Sequence, residues 1–238
     1  MSNLRRFFVD AISEPLYLTG EEFRHAVNVL RIKEGEEVIV CDNSSFEYVC
    51  KVKKITKTDM LLEVENKRQA VTEPKQRVCL LSGYLKGDKT ELVVQKAVEL
   101  GVYEVVIFNS KYCSAYMNDN KLARLNKVSL EAAKQCGRAV APKVIYADTF
   151  EKALGAVENF KNKLFACEFA TKSEVDFNSL SGSTAIVVGS EGGFSEEEAE
   201  LATKKDFKTV FLGSRILRAE TCAIALTGIV MHSLKELE

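Results

Sequence analysis

The chain has 238 residues, 46% hydrophobic and 28% charged, a balance that fits an ordinary globular protein and excludes disordered and fibrous classes. A formal net charge of −1 excludes nucleic-acid binding driven by overall charge, but leaves room for one local basic surface. The seven cysteines form no C-x-x-C pair, so they suggest neither a disulfide framework nor a zinc site, and they fit a reducing cytoplasm. The N-terminal MSNLRRFFVD lacks the apolar region of a signal peptide, and no apolar run reaches the length of a membrane span.

The first seventy residues read as mostly β. Val38–Cys41, Phe46–Val52 and Met60–Val64 are short β-branched and aromatic runs, separated by turn-forming polar residues. Thr19-Gly20-Glu21-Glu22 has the form of a capping box opening one helix, with Phe23, Ala26, Val27 and Leu30 at core-facing spacing. Arg24, Asn28 and Arg31 fall on its other face. Small strands around one helix predict a compact barrel. The polar stretch Asn66–Gln76, which contains Glu73-Pro74, marks a boundary that divides the chain into residues 1–70 and 71–238.

From Val78 the pattern alternates strand and helix. Val78–Tyr84, Val105–Phe108, Val144–Tyr146, Leu164–Cys167, Thr184–Val188 and Thr209–Leu212 are apolar throughout, as strands are when a parallel sheet is covered on both faces. Asp88-Lys89-Thr90-Glu91 is read as the cap of a helix that ends at Gly101, and Asn118–Cys136 as a longer helix that stops at Gly137. The fold class predicted for this half is α/β, a parallel sheet with helices on both faces. Charge is segregated along it. Lys111–Lys143 holds seven basic residues against two acidic, and Val144–Lys208 seven against twelve. One phosphate-facing surface would need such segregation, and a solvated helix face fits it equally.

Two segments carry candidate chemistry. Thr184–Ser195, TAIVVGSEGGFS, is a buried strand that runs into a glycine loop, and Ser195-Glu196-Glu197-Glu198 opens a helix as a capping box. Ligands of open α/β sheets bind at that edge. The loop matches neither phosphate-binding glycine motif, and three glutamates at the helix start would repel a pyrophosphate, so a neutral or cationic ligand held by backbone fits better. A tight turn needing positive φ is the structural alternative. Thr209–Thr221, TVFLGSRILRAET, is a second strand, glycine and turn, with Arg215 and Arg218 beside Glu220. Arginine there can grip an oxygen with fixed donors, or merely pair with a surface glutamate.

The blocks GSEGGFSEEE, LGSRILRAET, HAVNVLRIKEGEEV, KGDKTELVVQKAVELGV and EAAKQCGR together resemble the bacterial small-subunit ribosomal RNA uridine-N3 methyltransferases, a family of the SPOUT class of S-adenosylmethionine (SAM)-dependent enzymes. The resemblance spans nearly the whole chain. It implies an N-terminal PUA-like barrel that binds RNA, and a C-terminal α/β domain with a trefoil knot that binds SAM and forms a homodimer. It implies 16S rRNA or the small subunit as partner, and neither metal nor membrane. It places SAM against Val188, Gly189, Glu191, Gly192, Gly193, Leu212, Gly213, Ile216 and Leu217, with Cys167 and Glu168 bordering the pocket. Ser190 stands where the family often has proline, and Cys222 where it has alanine or threonine. The last helix, Cys222–Leu234, is apolar on several sides, as a helix buried in a core or against a partner is.

Methyl transfer to N3 of a uridine needs help with negative charge on the base. Arg218 is the first candidate to supply it, Arg215 the second, and Arg6 a third that would reach the RNA or the target base. Glu220 would orient an arginine. Arg5, Arg6, Arg24, Arg31, Lys134 and Arg138 are the expected phosphate contacts. His25 and His232 receive no role. Two other classes fit parts of the pattern. A non-catalytic RNA-binding protein would need only the barrel and basic segment, and has no use for two glycine loops. A nucleotide-dependent oxidoreductase would need the dinucleotide fingerprint that is missing.

Overall fold

The computed structural model describes residues 4–168 and 170–237. Its contacts divide the chain into two units, Met1–Glu73 with Ala133–Ala141, and Pro74–Ala132 with Pro142–Glu238.

In the first unit, five strands, β1 (Arg5–Phe8), β2 (Leu16–Leu18), β3 (Glu37–Cys41), β4 (Phe46–Ile55) and β5 (Met60–Gln69), form a mixed sheet in the order β1-β3-β4-β5-β2. Only the β1–β3 pair is parallel. Leu16 and Leu18 point inward and Tyr17 outward, the period-two pattern of a half-buried strand. The helix α1 (Gly20–Arg24) continues through a π-type turn, His25–Val29. Phe23 and Ala26 join Phe7, Leu18, Val38, Cys50 and Met60 in the core, with Val27 and Leu30 packed on it. Arg24, Asn28 and Arg31 are exposed.

The expected box at Thr19 does not form. Thr19 precedes the helix but its hydroxyl accepts no cap hydrogen bond, and Gly20 enters at φ +61°. The Glu22 carboxylate is drawn to the Lys134 ammonium at 2.5 Å instead. A full charge-assisted bond outcompetes a cap here.

The second unit is built on six parallel strands, β6 (Val78–Gly83), β7 (Glu104–Phe108), β8 (Lys143–Ala147), β9 (Asn162–Ala166), β10 (Thr184–Val188) and β11 (Lys208–Val210), in the order β11-β9-β10-β6-β7-β8. Every residue of β6 and β10 is buried. Leu80, Ile186 and Val105 contribute to one core with residues of α2 (Lys89–Glu99), α3 (Asp119–Cys136) and α6 (Ala219–Ser233). Leu81, Val187 and Val106 contribute to the other with α4 (Phe150–Ala156) and α5 (Glu196–Lys204). Phe108, Phe150, Phe165 and Phe194 form a ring cluster there, with Phe165 and Phe194 centroids 4.6 Å apart. The last turn of α3 counts with the first unit.

Two helix starts differ from each other. At α5 both halves of the capping box are present: the Ser195 hydroxyl accepts from the Glu198 N–H and the Glu198 carboxylate accepts from the Ser195 N–H. At α2 the Asp88 side chain makes no cap bond, contrary to the sequence reading. The Thr90 hydroxyl accepts from the Leu85 N–H at 2.9 Å and ties the preceding loop down. No helix among the described residues is long and apolar enough to cross a membrane.

Candidate functional site

Strand order reverses around β10, which lies between β9 and β6, and ligand sites of open α/β sheets arise where order reverses at the carboxyl ends. A cleft of about 680 Å³ opens at that place. Its wall is made by the ends of β9, β10 and β11, the loops that follow them, Lys89 at the start of α2, and Cys222 on α6.

The loop after β10 is a closed turn. Ser190 and Gly193 form a bridge, and the Gly193 N–H donates to the Ser190 carbonyl at 3.0 Å. Gly193 has φ +69°, and a β-carbon there would collide with the Glu168 carboxylate. That carboxylate accepts from the Phe194 N–H at 3.0 Å, joining the β9 end to the β10 loop. Ser190 is buried, its hydroxyl 3.2 Å from that of Ser110. A hydroxyl partner thus anchors the loop at Ser190.

Every residue expected to hold the donor lines this one cleft: Cys167, Glu168, Val188, Gly189, Glu191, Gly192, Gly193, Leu212, Gly213, Ile216 and Leu217. Arg215 and Arg218 line it too. Both arginines are exposed, and no hydrogen bond or ion pair engages either guanidinium among the described residues. Burial pushes the Cys222 thiol up to about 11, with the Glu168 charge adding to it, so a neutral thiol faces the cleft. Burial would raise the Glu191 carboxyl, but backbone N–H groups, including that of Lys86, and the Lys89 ammonium outweigh it and hold it below the usual range. Among the described residues no cluster of His, Cys, Asp and Glu could hold a metal ion.

Lys89 is a cleft-lining cation that sequence reasoning missed. Its ammonium lies 3.4 Å from Glu191 and 3.6 Å from Glu220. The KGDK segment was legible as a helix start, and nothing local shows that two distant carboxylates converge on its second lysine. Glu220 accordingly faces Lys89 rather than an arginine, which corrects the orienting role expected for it.

Three expected contacts are elsewhere. Arg6 is not free to reach RNA or a base: its guanidinium, with 8% of the side chain exposed, pairs with Glu47 at 2.6 Å and donates to the Cys41 sulfur at 3.0 Å. Arg138 pairs with Glu73 at 2.9 Å with 5% of its side chain exposed, and Lys134 pairs with Glu22. These cations neutralise carboxylates that are buried (Glu47) or half-buried (Glu22 and Glu73), because leaving either charge unpaired there would be costly. Within these pairs none of the three is offered to solvent as Arg5, Arg24 and Arg31 are. Arg5, Arg24 and Arg31 remain exposed. His25 is half-buried and His232 exposed.

A family described as an RNA methyltransferase domain matches residues 72–231, and one described as an RNA methyltransferase PUA domain matches residues 18–65. Ribosomal RNA small subunit methyltransferase E of Bacillus subtilis (strain 168) is 31% identical over 95% of this chain and 96% of its own length. The protein of that name from Mesomycoplasma hyopneumoniae (strain 232) is 33% identical over 93% and 96%. The crystal structure of ribosomal RNA small subunit methyltransferase E from Neisseria gonorrhoeae, bound to S-adenosyl methionine, superposes with a TM-score of 0.87 at 26% identity, covering 96% of this chain and 97% of that one. With a methyltransferase domain over most of its length and the PUA domain before it, this chain belongs to the ribosomal RNA small subunit methyltransferase E family of RNA methyltransferases.

Proposed function

We propose that this enzyme transfers the methyl group of SAM to N3 of a uridine in 16S rRNA, working in the cytoplasm as a homodimer. One observation carries the reading: a single cleft at the sheet's switch point gathers both glycine turns and two unpaired arginines. The relatives named as ribosomal RNA small subunit methyltransferases support it, as does the SAM-bound structure of the relative from Neisseria gonorrhoeae.

The residues present fit the donor. About 680 Å³ is room for a nucleoside-sized ligand. Gly189, Gly192, Gly193 and Gly213 bare their backbone to it, Leu212, Ile216 and Leu217 offer apolar contact, and the Glu168 and Glu191 carboxylates suit a sulfonium better than a phosphate. Bound SAM supplies an electrophilic methyl carbon, which the N3 electron pair takes as the carbon–sulfur bond breaks toward sulfur. The protein's work is alignment and charge. Arg218, with Arg215 as second candidate, meets negative charge on a uracil oxygen, a service worth roughly 10²–10³ in rate for one well-placed donor.

The first unit, with the 1–70 region as its sequence counterpart, would present Arg5, Arg24 and Arg31 to phosphates. In the second unit the chain would thread a trefoil knot, a reading supported by the return of α6 from the edge strand β11 to pack beside α2, β6 and β10. The homodimer would use the apolar side chains that α2 and α6 leave outside, Leu92 and Ile229, exposed by 40% and 39%.

Mass spectrometry of small-subunit RNA nucleosides from cells with and without the gene tests the reading. It expects one 3-methyluridine to vanish with the gene. An unchanged nucleoside profile would overturn it.

A further inference from the structure

We propose that Lys89 is a catalytic residue that stabilises the uracil N3 anion at one of its two flanking carbonyl oxygens; this rests on the uridine-N3 reading above. Removing the N3 proton spreads negative charge over both oxygens beside N3, so two cations are useful. The exposed arginines of the β11 loop can meet one oxygen. The cleft offers one further cation among its lining side chains, and it comes from a different element, the first turn of α2.

Lys89 is built for this more than for structure. Its side chain is one-third exposed and sits in the cleft wall, its ammonium between Glu191 and Glu220. Only the 3.4 Å contact to Glu191 is a hydrogen bond, so an ammonium with three donors keeps capacity for a ligand. At 3.6 Å the Glu220 oxygen is in reach of charge but not bonded, and the other oxygen of Glu220 is buried with no hydrogen-bond partner. A purely structural ion pair would close to bonding distance and satisfy both oxygens. Two carboxylates from separate segments hold one cation in place, and the single hydrogen bond to Glu191 leaves its other donors for a ligand.

The step balances. The N3 proton leaves to solvent base. The N3 electron pair forms the bond to the methyl carbon, the carbon–sulfur pair goes to sulfur, and the sulfonium becomes a neutral thioether. Lys89 gains and loses no proton. It eases loss of the N3 proton by donating a hydrogen bond to the oxygen that carries the charge, because hydrogen bonding to the charged form favours that form.

The test uses the whole protein with small ribosomal subunits that lack the modification, prepared from cells grown with or without 5-fluorouracil. Fluorine at C5 makes N3–H more acidic and so supplies chemically what Lys89 is proposed to supply. Calorimetry with SAM is run alongside. For Lys89→Met we expect SAM affinity within about twofold of wild type. Its methylation rate should fall roughly 10²-fold near neutral pH, climb with pH further than wild type does, and recover at least tenfold on fluorinated subunits. Lys89→Arg should keep part of the rate. If Lys89→Met weakens SAM in proportion to the lost rate, with the same defect on both RNAs, Lys89 is a donor ligand and the proposal is overturned. An unchanged rate overturns it too. If the wild-type chain itself takes up no SAM, the methyl-donor reading of the cleft fails, and the role of Lys89 fails with it.

Discussion

Gly83, the last residue of β6, lies flat against Ser190 in the donor loop: a β-carbon on Gly83 would fall 2.5 Å from the Ser190 nitrogen and 2.9 Å from the Gly189 carbonyl carbon. Backbone is packed on backbone there, and neither side can yield cheaply. Gly83→Ala therefore displaces the Gly189–Ser195 turn. The expected outcome is at least tenfold weaker SAM binding by calorimetry in a protein whose helical circular dichroism is unchanged. Wild-type affinity in that variant would mean that the turn does not hold the donor.

Arg218→Ala should lower the methylation rate roughly 10²-fold while SAM affinity stays within a few-fold, because the arginine acts on charge that develops only in the transition state. Steady-state rates at saturating donor measure this. A near-normal rate would move the role to Arg215.

The buried cations act on stability. Arg138→Met removes the cation from the half-buried Glu73, which keeps the Ala139 and Val140 N–H donors, and should destabilise the protein in denaturant unfolding by up to about 3–5 kcal/mol, the cost for a fully buried pair. Its effect on RNA affinity should not change the salt dependence. Arg24→Ala and Arg31→Ala should do the reverse, with unfolding unchanged and the slope of log affinity against log salt reduced by roughly one per arginine. A fall in salt slope for Arg138→Met would contradict this division.

Alkaline pH should unfold the protein through its thiols. Burial pushes Cys41 up to about 11, against the lowering pull of Arg6, and pushes Cys50 up to about 12, from an ordinary value of 9.0. The unfolded chain ionises these thiols near pH 9 and the folded chain does not. Their contribution to stability is therefore whole below pH 9 and is lost as pH rises through 9 toward 11–12. Denaturant midpoints at pH 8, 9, 10 and 11 should fall with pH, and fall less in a Cys50→Ala variant. An equal fall in both would assign the loss to other groups.

What the sequence made legible was local. Thr184–Val188 reads as a strand from its threonine and four apolar residues and is one, and the Ser195 capping box is written in four consecutive positions. The glycine turns on either side of β11 are equally local, and they bring the expected donor residues into one cleft. Pairings across sequence distance were not legible. Arg6, Lys134 and Arg138 look like surface cations until Glu47, Glu22 and Glu73 fold onto them. Lys89 was hidden for the same reason, since Glu191 and Glu220 lie more than a hundred residues further along the chain. The strands β1 and β2 escaped notice because four and three residues give periodicity too little length to show.

Calorimetric titration of the purified wild-type chain with SAM tests the central claim most directly. Uptake of one SAM per chain, weakened by Gly83→Ala and nearly unaffected by Arg218→Ala, is the result predicted. A folded chain that gives no binding heat or saturation at any SAM concentration would contradict the account, since the cleft between the two glycine turns would then hold something else.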